Sequence, residues 1–405
     1  MGHSDKTNIT TSAVLAKTAE LPLAAEGKRA RLDSIDILRG LAIILMALDH
    51  SRDFLGVGGM NPSDITQPAL FTTRWMTHFC APAFCMLAGI SAYLYGSSKG
   101  RSKTDLTRFL LTRGFWLILI EFTIVRFGWN FSIGIDFFRA AVIWSLGISM
   151  IVMAVLIHLP RWAIAVIGLA MIFGHNLLDG IQAENLGSAG WIWNILHQPG
   201  KFAIGGSNSI FIVSYPMIPW PGIMAIGYAL GPIFKGDPLA RRRLLLGAGA
   251  AVTVGFVLLR FTNFYGNPVA WSVQDHWYTT LMSFLNCEKY PPSLLYLMMT
   301  LGPVLILLAV LEQAKGWFIN IITTFGRVPF LFYVVHLPFI HILAAGIIWF
   351  MGGDTAFLFS GQFVINSLPE NPVIGIPGVY AVWLVALVAL YPLFGVVPNI
   401  KGKSG

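Results

Sequence analysis

The sequence predicts an all-α fold, a polytopic membrane helix bundle of about ten transmembrane helices with both termini cytoplasmic. Three observations lead there. Of the 405 residues, 56% are hydrophobic and 11% charged, with a mean hydropathy of +0.69; soluble domains run nearer ~45–50% and ~25%. Ten windows approach the roughly 20 apolar residues that a bilayer core requires. The lysines and arginines, finally, collect on alternate connections.

Taken in order, residues 1–30 lack an apolar core and carry Asp5, Lys6, Lys17, Glu20 and Glu26, as expected of a disordered cytoplasmic tail rather than a secretory signal. The membrane domain is expected over 31–397, with spans near 36–56, 70–96, 108–127, 137–157, 162–178, 215–234, 243–262, 292–311, 326–350 and 375–396. The stretch 187–214 reads as interfacial or re-entrant, and 398–405 as a second cytoplasmic tail. With the N-terminus inside, only seven of the 27 Lys and Arg fall on the outer side: Arg52, Arg74, Arg126, Arg139, Lys201, Arg260 and Lys289. The net charge of +8 is thus the inward bias of a multi-pass protein, not a nucleic-acid footprint.

The first span, "DILRGLAIILMALDH", holds Arg39 at its cytoplasmic end and His50 eleven residues on. That is about 16 Å along a helix and close to three turns, so both lie on one face. Ionisable groups inside spans are costly and usually line a cavity or path. Here they gather in the outer half: Asp49, His50, Arg52 and Asp53 on the first span, Arg74 and His78 on the second, and Glu121 and Arg126 on the third. His175, Asn176 and Asp179 end the fifth, and His336 and His341 lie on the ninth. Any one of these could merely fasten helices together; the collection points to a hydrated pocket.

Three cysteines give no disulfide framework, and the histidines show neither an HExxH pattern nor a Cys-His spacing, so no metal site is expected. "GGSNS" at 205–209 is not a phosphate loop, and no G-x-S-x-G elbow occurs. What remains is an outer-half histidine beside carboxylates, connected to an arginine-rich cytoplasmic mouth. Histidine suits proton abstraction from a hydroxyl or amine. Arg39, Arg108 and Arg113 suit the phosphates of a large anionic donor. Together they suggest group transfer across the membrane.

Several strings carry a resemblance. "RLDSIDILRGLAIILMALDHSRDF", "TRWMTHFCAPAFCMLAGISAYLYG", "RFLLTRGFWLILIEFTIVRFGW", "GHNLLDGI", "YPMIPWPGIMAIGYALGP", "LNCEKYPPSLLYLMMTLGP" and "FGRVPFLFYVVHLPFIHILA" resemble the bacterial branch of the heparan-alpha-glucosaminide N-acetyltransferase catalytic-domain family, from about 30 to 395. A more distant resemblance links Asp36, Arg39 and His50 to the bacterial membrane acyltransferases that O-acetylate polysaccharides, which carry Asp-x-x-Arg and then His after ten residues.

The resemblance implies an enzyme of the bacterial inner membrane. It would hold no permanent cofactor, take acetyl-CoA or another acyl-CoA as donor, and acylate a hydroxyl or amine of an extracytoplasmic glycan or glycolipid. His50 would act as base or as a transient acyl carrier, Asp49 or Asp53 would orient and charge-match it, and Arg39, Arg108 and Arg113 would hold the donor. Arg74, His78, Glu121, Arg126, His175, Lys289, His336 and His341 would line the pocket. Lys289 could bind acceptor or donor carbonyls, or simply snorkel at the interface. Membrane lipid is a partner, and a homodimer is left open. One departure matters. The lysosomal heparan enzyme has Asn in the place of His50 and its catalytic His in the luminal loop that follows, whereas "SRDFLGVGGMNPSDITQPAL" has no histidine. The heparan substrate therefore does not carry over. The rival reading is a transporter of an anionic metabolite or lipid-linked sugar, against which stands the lack of an internal repeat.

Overall fold

A computed structural model describes residues 33–55, 61, 63–204, 209–359 and 374–401, with side chains up to 395. The tail 1–30 and the glycine pair at 205–206 lie outside the described residues. Helix α1 (Asp33–Phe54) is the axis of the bundle, with Ile37, Leu38, Ile43, Leu48 and Phe54 fully enclosed. It is followed by α2 (Pro68–Thr77), α3 (Cys80–Gly96) and α4 (Lys103–Ile120), the last started by a Ser102–Asp105 capping box. A π-helical turn, Glu121–Val125, joins α4 to the short α5 (Arg126–Asn130).

Strand β1 (Phe137–Ala140) precedes α6 (Val142–Leu156) and α7 (Arg161–Gly174), which a 3₁₀ turn extends to Leu178. Helix α8 (Gly190–Leu196), β2 (Gly200–Ala203) and β3 (Ile210–Val213) lead to α9 (Trp220–Leu230) and α10 (Pro238–Thr262). The chain ends with α11 (Trp277–Leu285), α12 (Leu294–Val310), α13 (Trp317–Arg327), α14 (Pro329–Phe350) and α15 (Ile376–Lys401).

Among the described residues, six stretches are long and apolar enough to cross a membrane: Pro68–Gly96, Arg161–Leu178, Pro238–Thr262, Leu294–Gln313, Pro329–Phe350 and Ile376–Gly395. The protein is therefore a mostly helical, multi-pass membrane protein. The other four expected spans are helical but shorter or more charged. α6 and α9 have 15 and 11 residues, and α1 and α4 carry the arginines and carboxylates noted above.

Helix α1 packs on α3, α13, α14 and α15. Small residues let backbones meet, as in membrane interfaces generally. A Cβ on Gly40 would strike the carbonyl of Ile322, and one on Gly326 that of Asp36, so α1 and α13 touch main chain to main chain. This fixes the N-terminal half of α1, and with it Arg39.

The sequence reading missed a three-stranded sheet of order β1-β3-β2, with β1 parallel and β2 antiparallel to β3. The fourth expected span begins as strand: residues Phe137–Ala140 pair with β3, Phe138 meets Phe122 edge-on in an aromatic group with Phe211 and Phe202, and the helix starts only at Val142. The stretch expected to be interfacial supplies α8 and the other two strands.

Candidate active site

The centre of the site is a pair of histidines on α1 and α14. His50 Nδ1 lies 2.7 Å from His336 Nε2, the rings stacked at 4.9 Å. His336 Nδ1 lies 2.8 Å from the carbonyl of Phe332, one turn back on its own helix. That carbonyl can only accept, so Nδ1 of His336 carries its proton and Nε2 is the acceptor. His50 must then donate through Nδ1, which leaves the lone pair on Nε2 of His50. The two bonds thus select the tautomer in which Nε2 is the base. Trp129 and Tyr333 meet the His50 ring edge-on at 5.0 and 6.2 Å.

Beside the pair lies a network of charges. Asp49 is held by Arg74 at 3.0 Å, Arg52 at 2.9 Å and the hydroxyl of Thr77 at 2.9 Å. Arg52 also donates to Asp53 at 2.6 Å. The hydrogen-bond partner of His50 is thus His336; Asp49 and Asp53, expected to orient it, are paired with arginines that could not stay buried alone. Arg74 reaches Tyr290 Oη at 3.3 Å, and Tyr290 meets Tyr215 at 3.5 Å. Lys289 is buried, with its Nζ 5.3 Å from the Tyr290 ring; its amide donates to Glu288 Oε1, while its ammonium makes no hydrogen bond or ion pair among the described residues. It does not snorkel. Lys289 and Arg139 are both electrostatic neighbours of His50. Four basic side chains, Arg52, Arg74, Arg139 and Lys289, thus face two carboxylates, an arrangement that favours an anion.

Toward the N-terminal end of α1 from the histidines lies a cavity of about 580 Å³, within the range that holds small ligands. Arg39 and Arg113 line one part of it and Met46 and Tyr333 another; the rest of the wall is mainly aromatic and aliphatic. Met46 is one turn before His50, so the cavity ends just beneath the pair. Arg39 is steadied by Asp36 at 3.2 Å and by Ser91 Oγ. Arg113 lies over the ring of Phe109 at 4.6 Å. Arg108 is exposed and does not line the cavity.

The remaining expected residues are placed elsewhere. Glu121, rotated inward on the π-helical turn, accepts from the Trp144 amide at 3.1 Å and so caps α6, a carboxylate at a helix N-terminus. Arg126 donates to Phe137 O and fastens β1. His341 is boxed by Phe54, Phe131 and Phe359 and bonds Gly128 O at 3.2 Å. His78 packs on Tyr296, whose hydroxyl donates to the carbonyl of His78. His175 leaves this site for a separate cluster with Asp179 and His197. Sequence reasoning did not single out Tyr215, Tyr290, Trp129 or Tyr333. Only "EKYPP", with a tyrosine next to an outer-side lysine, could have drawn attention to one of them.

A bundle of apolar helices around a buried histidine pair, charged network and elongated cavity defines a multi-pass membrane protein with an enclosed polar site. Residues 31–261 match the family described as "Heparan-alpha-glucosaminide N-acetyltransferase, catalytic", more than half of the chain, and the chain belongs to that family. No curated protein matches it. Membership implies a transferase and suggests membrane acetyltransferase activity. His50, Arg39 and Arg113 fall within the matched stretch; Lys289 and His336 lie beyond it.

Proposed function

We propose that the protein transfers an acetyl or similar acyl group from cytoplasmic acyl-CoA to a hydroxyl or amine of an extracytoplasmic glycan or glycolipid. The observation that carries this reading is the His50–His336–Phe332 chain of bonds, which prepares Nε2 of His50 as a base at the end of the arginine-lined cavity. In this reading Arg39 and Arg113 hold the donor's phosphates, and the apolar wall takes the pantetheine arm. Nε2 of His50 removes the proton from the acceptor as its N or O attacks the thioester carbonyl. Lys289 faces the developing oxyanion. When the C–S bond breaks, His50 returns the proton to the departing CoA thiolate, and the base is regenerated.

The orientation belongs to the same proposal. Ten spans with both termini in the cytoplasm, in a bacterial inner membrane, would put the donor mouth inside and His50 near the outer face. The charge asymmetry supports it. A Ser188→Cys variant should react with an impermeant thiol reagent in intact cells. Sealed right-side-out vesicles should acetylate an added amino sugar only when acetyl-CoA is loaded inside. Reaction at Ser188→Cys only after permeabilisation, or transfer from external acetyl-CoA alone, would reverse the topology. Uptake of the sugar unchanged would favour transport.

A further inference from the structure

Outside the site just described, three side chains from two turns converge on one point. His175 and Asp179 lie on the 3₁₀ turn that ends α7, and His197 caps the C-terminus of α8. One ligating atom from each lies within 4.8 Å of the other two. The 17 residues between Asp179 and His197 are folded back by specific bonds. Trp193 Nε1 donates to Ile181 O at 2.8 Å, Gln198 Oε1 accepts from the Ala183 amide at 2.8 Å, and Gln198 also bonds Gln182 at 3.0 Å. The convergence is thus built by the loop, not by chance contact.

Its polar atoms are poorly matched to one another. His197 Nε2 meets Asp179 Oδ1 at 2.9 Å. His175, 2% exposed, has both ring nitrogens buried without a hydrogen-bond partner, and so does Nδ1 of His197. Each unmade bond costs about 1–3 kcal/mol. Asn176 Nδ2, meanwhile, donates to the second oxygen of Asp179 at 2.8 Å, steadying the carboxylate so that Oδ1 points at the histidines. A carboxylate steadied in this way by a neighbouring amide is the outer-shell support that ligating carboxylates carry in metal sites.

We propose that His175, Asp179 and His197 bind one divalent transition-metal ion of the zinc type. Two imidazoles and a carboxylate leave one position of a tetrahedron for water. At ligand distances of about 2.0–2.1 Å, ligand atoms in a tetrahedron stand roughly 3.3 Å apart. The ion would therefore open the His197–Asp179 contact by about 0.4 Å and draw the widest pair in by up to about 1.5 Å, within reach of ring and carboxylate rotations. The ion replaces the direct His197–Asp179 bond and gives one ring nitrogen of His175 a partner.

The ion also has a mechanical consequence. Asn176 Oδ1 accepts the amide of Leu294, the first residue of α12, at 2.8 Å. Leu294 follows the loop that carries Lys289 and Tyr290. A metal here clamps the α7–α8 turn and, through Asn176, steadies that loop. The site itself stands whether or not the acyltransfer reading is right.

The test uses untagged full-length protein in detergent, stripped with chelator and dialysed against Zn²⁺ alone. Elemental analysis should find one zinc per chain, and the Tm should rise with added Zn²⁺. Co²⁺ in place of zinc should give the visible absorption of a tetrahedral site, a readout on the unmutated chain. His175→Ala and Asp179→Asn should each abolish stoichiometric binding, Asn176→Ala should weaken it about 10–100-fold, and His158→Ala, on the surface, should leave it unchanged. Wild-type protein that holds no stoichiometric zinc and gives no tetrahedral cobalt spectrum would overturn the proposal, leaving a water-filled polar cluster. Retention of zinc by Asp179→Asn and His175→Ala alike would overturn it equally, since the ion would then lie elsewhere.

Discussion

The bond between His50 and His336 makes the sharpest demand on the account. Replacing His336 with Leu keeps an apolar group of comparable reach on α14 but removes the acceptor of the His50 Nδ1 proton, 2.7 Å away. The Phe332 carbonyl loses only a side-chain donor. His50 is left with two poor choices. It can keep the proton on Nδ1, with a buried donor unsatisfied at a cost of about 1–3 kcal/mol, or move it to Nε2 and cease to be a base. Loss of one such bond removes roughly tenfold of the preference for the reactive tautomer, and freedom of the ring adds to this. The expected fall in kcat is therefore about 10–100-fold, typical of a partner that orients a functional histidine. KM for acetyl-CoA should change little, because Arg39 and Arg113 are untouched. The assay is the initial rate of labelled acetyl transfer from acetyl-CoA to glucosamine by detergent-solubilised protein, where both faces are accessible. His336→Gln, whose amide oxygen can accept the same proton, should recover part of the loss. A His336→Leu variant that turns over at the wild-type rate, or that raises KM with kcat intact, would refute the reasoning.

Two further expectations concern charge. Arg39→Ala and Arg113→Ala should each weaken acetyl-CoA binding by about tenfold, measured by calorimetry, since a charge-assisted hydrogen bond is worth about 1.5–3 kcal/mol and Arg113 is partly screened by solvent. Arg108→Ala should have a much smaller effect; equal losses in all three would place the phosphates outside the cavity. Tyr290, in the loop before α12, gives a pH dependence. Burial raises its pKa, but Lys289 and Arg74 outweigh burial and bring the phenol down from 10 to about 7. The unfolded chain keeps this proton up to about pH 10. The stabilisation linked to Tyr290 is accordingly complete above pH 10, declines as the pH falls from 10 to 7, and is absent below 7. Tyrosinate absorbance should titrate near pH 7 in the native protein and lose that step in Tyr290→Phe. A first step only near the ordinary phenol value would contradict the placement of Lys289 and Arg74.

Much of this architecture is legible in residue patterns, for definite reasons. Long apolar stretches such as Leu294–Gln313 announce themselves by hydropathy, and Arg39 and His50 share a helix face through spacing alone. Contacts between helices distant in sequence are not legible in that way. His50 and His336 are 286 residues apart, and nothing in "FYVVHLPFIH" says that the first histidine meets α1 while the second sits among aromatic rings. Neighbouring carboxylates suggested a partner for His50, but Arg52 and Arg74 claim them, because burying an unpaired guanidinium costs more than leaving an imidazole to a second imidazole. The sheet was hidden because FFRA reads as the start of an apolar span and IFIV as part of an interfacial stretch. Lys289 resembled an interfacial lysine until Tyr290 and Arg74 were seen beside it.

The central claim, that Nε2 of His50 is the base for acyl transfer, is tested most directly by comparing His50→Ala and His50→Asn with the wild type for both transfer and donor binding. General-base catalysis contributes about 10²–10⁴-fold, whereas Arg39, proposed to hold the donor together with Arg113 of α4, lies about 16 Å away along α1. Transfer should therefore fall by that factor in both variants, while acetyl-CoA affinity stays within about twofold of the wild type, well under one hydrogen bond's worth. Asn keeps a hydrogen bond to His336 but has no lone pair fit to take a proton. If His50→Asn transfers acetyl groups at the wild-type rate, the claim is contradicted, and His50 serves only to hold His336 in place.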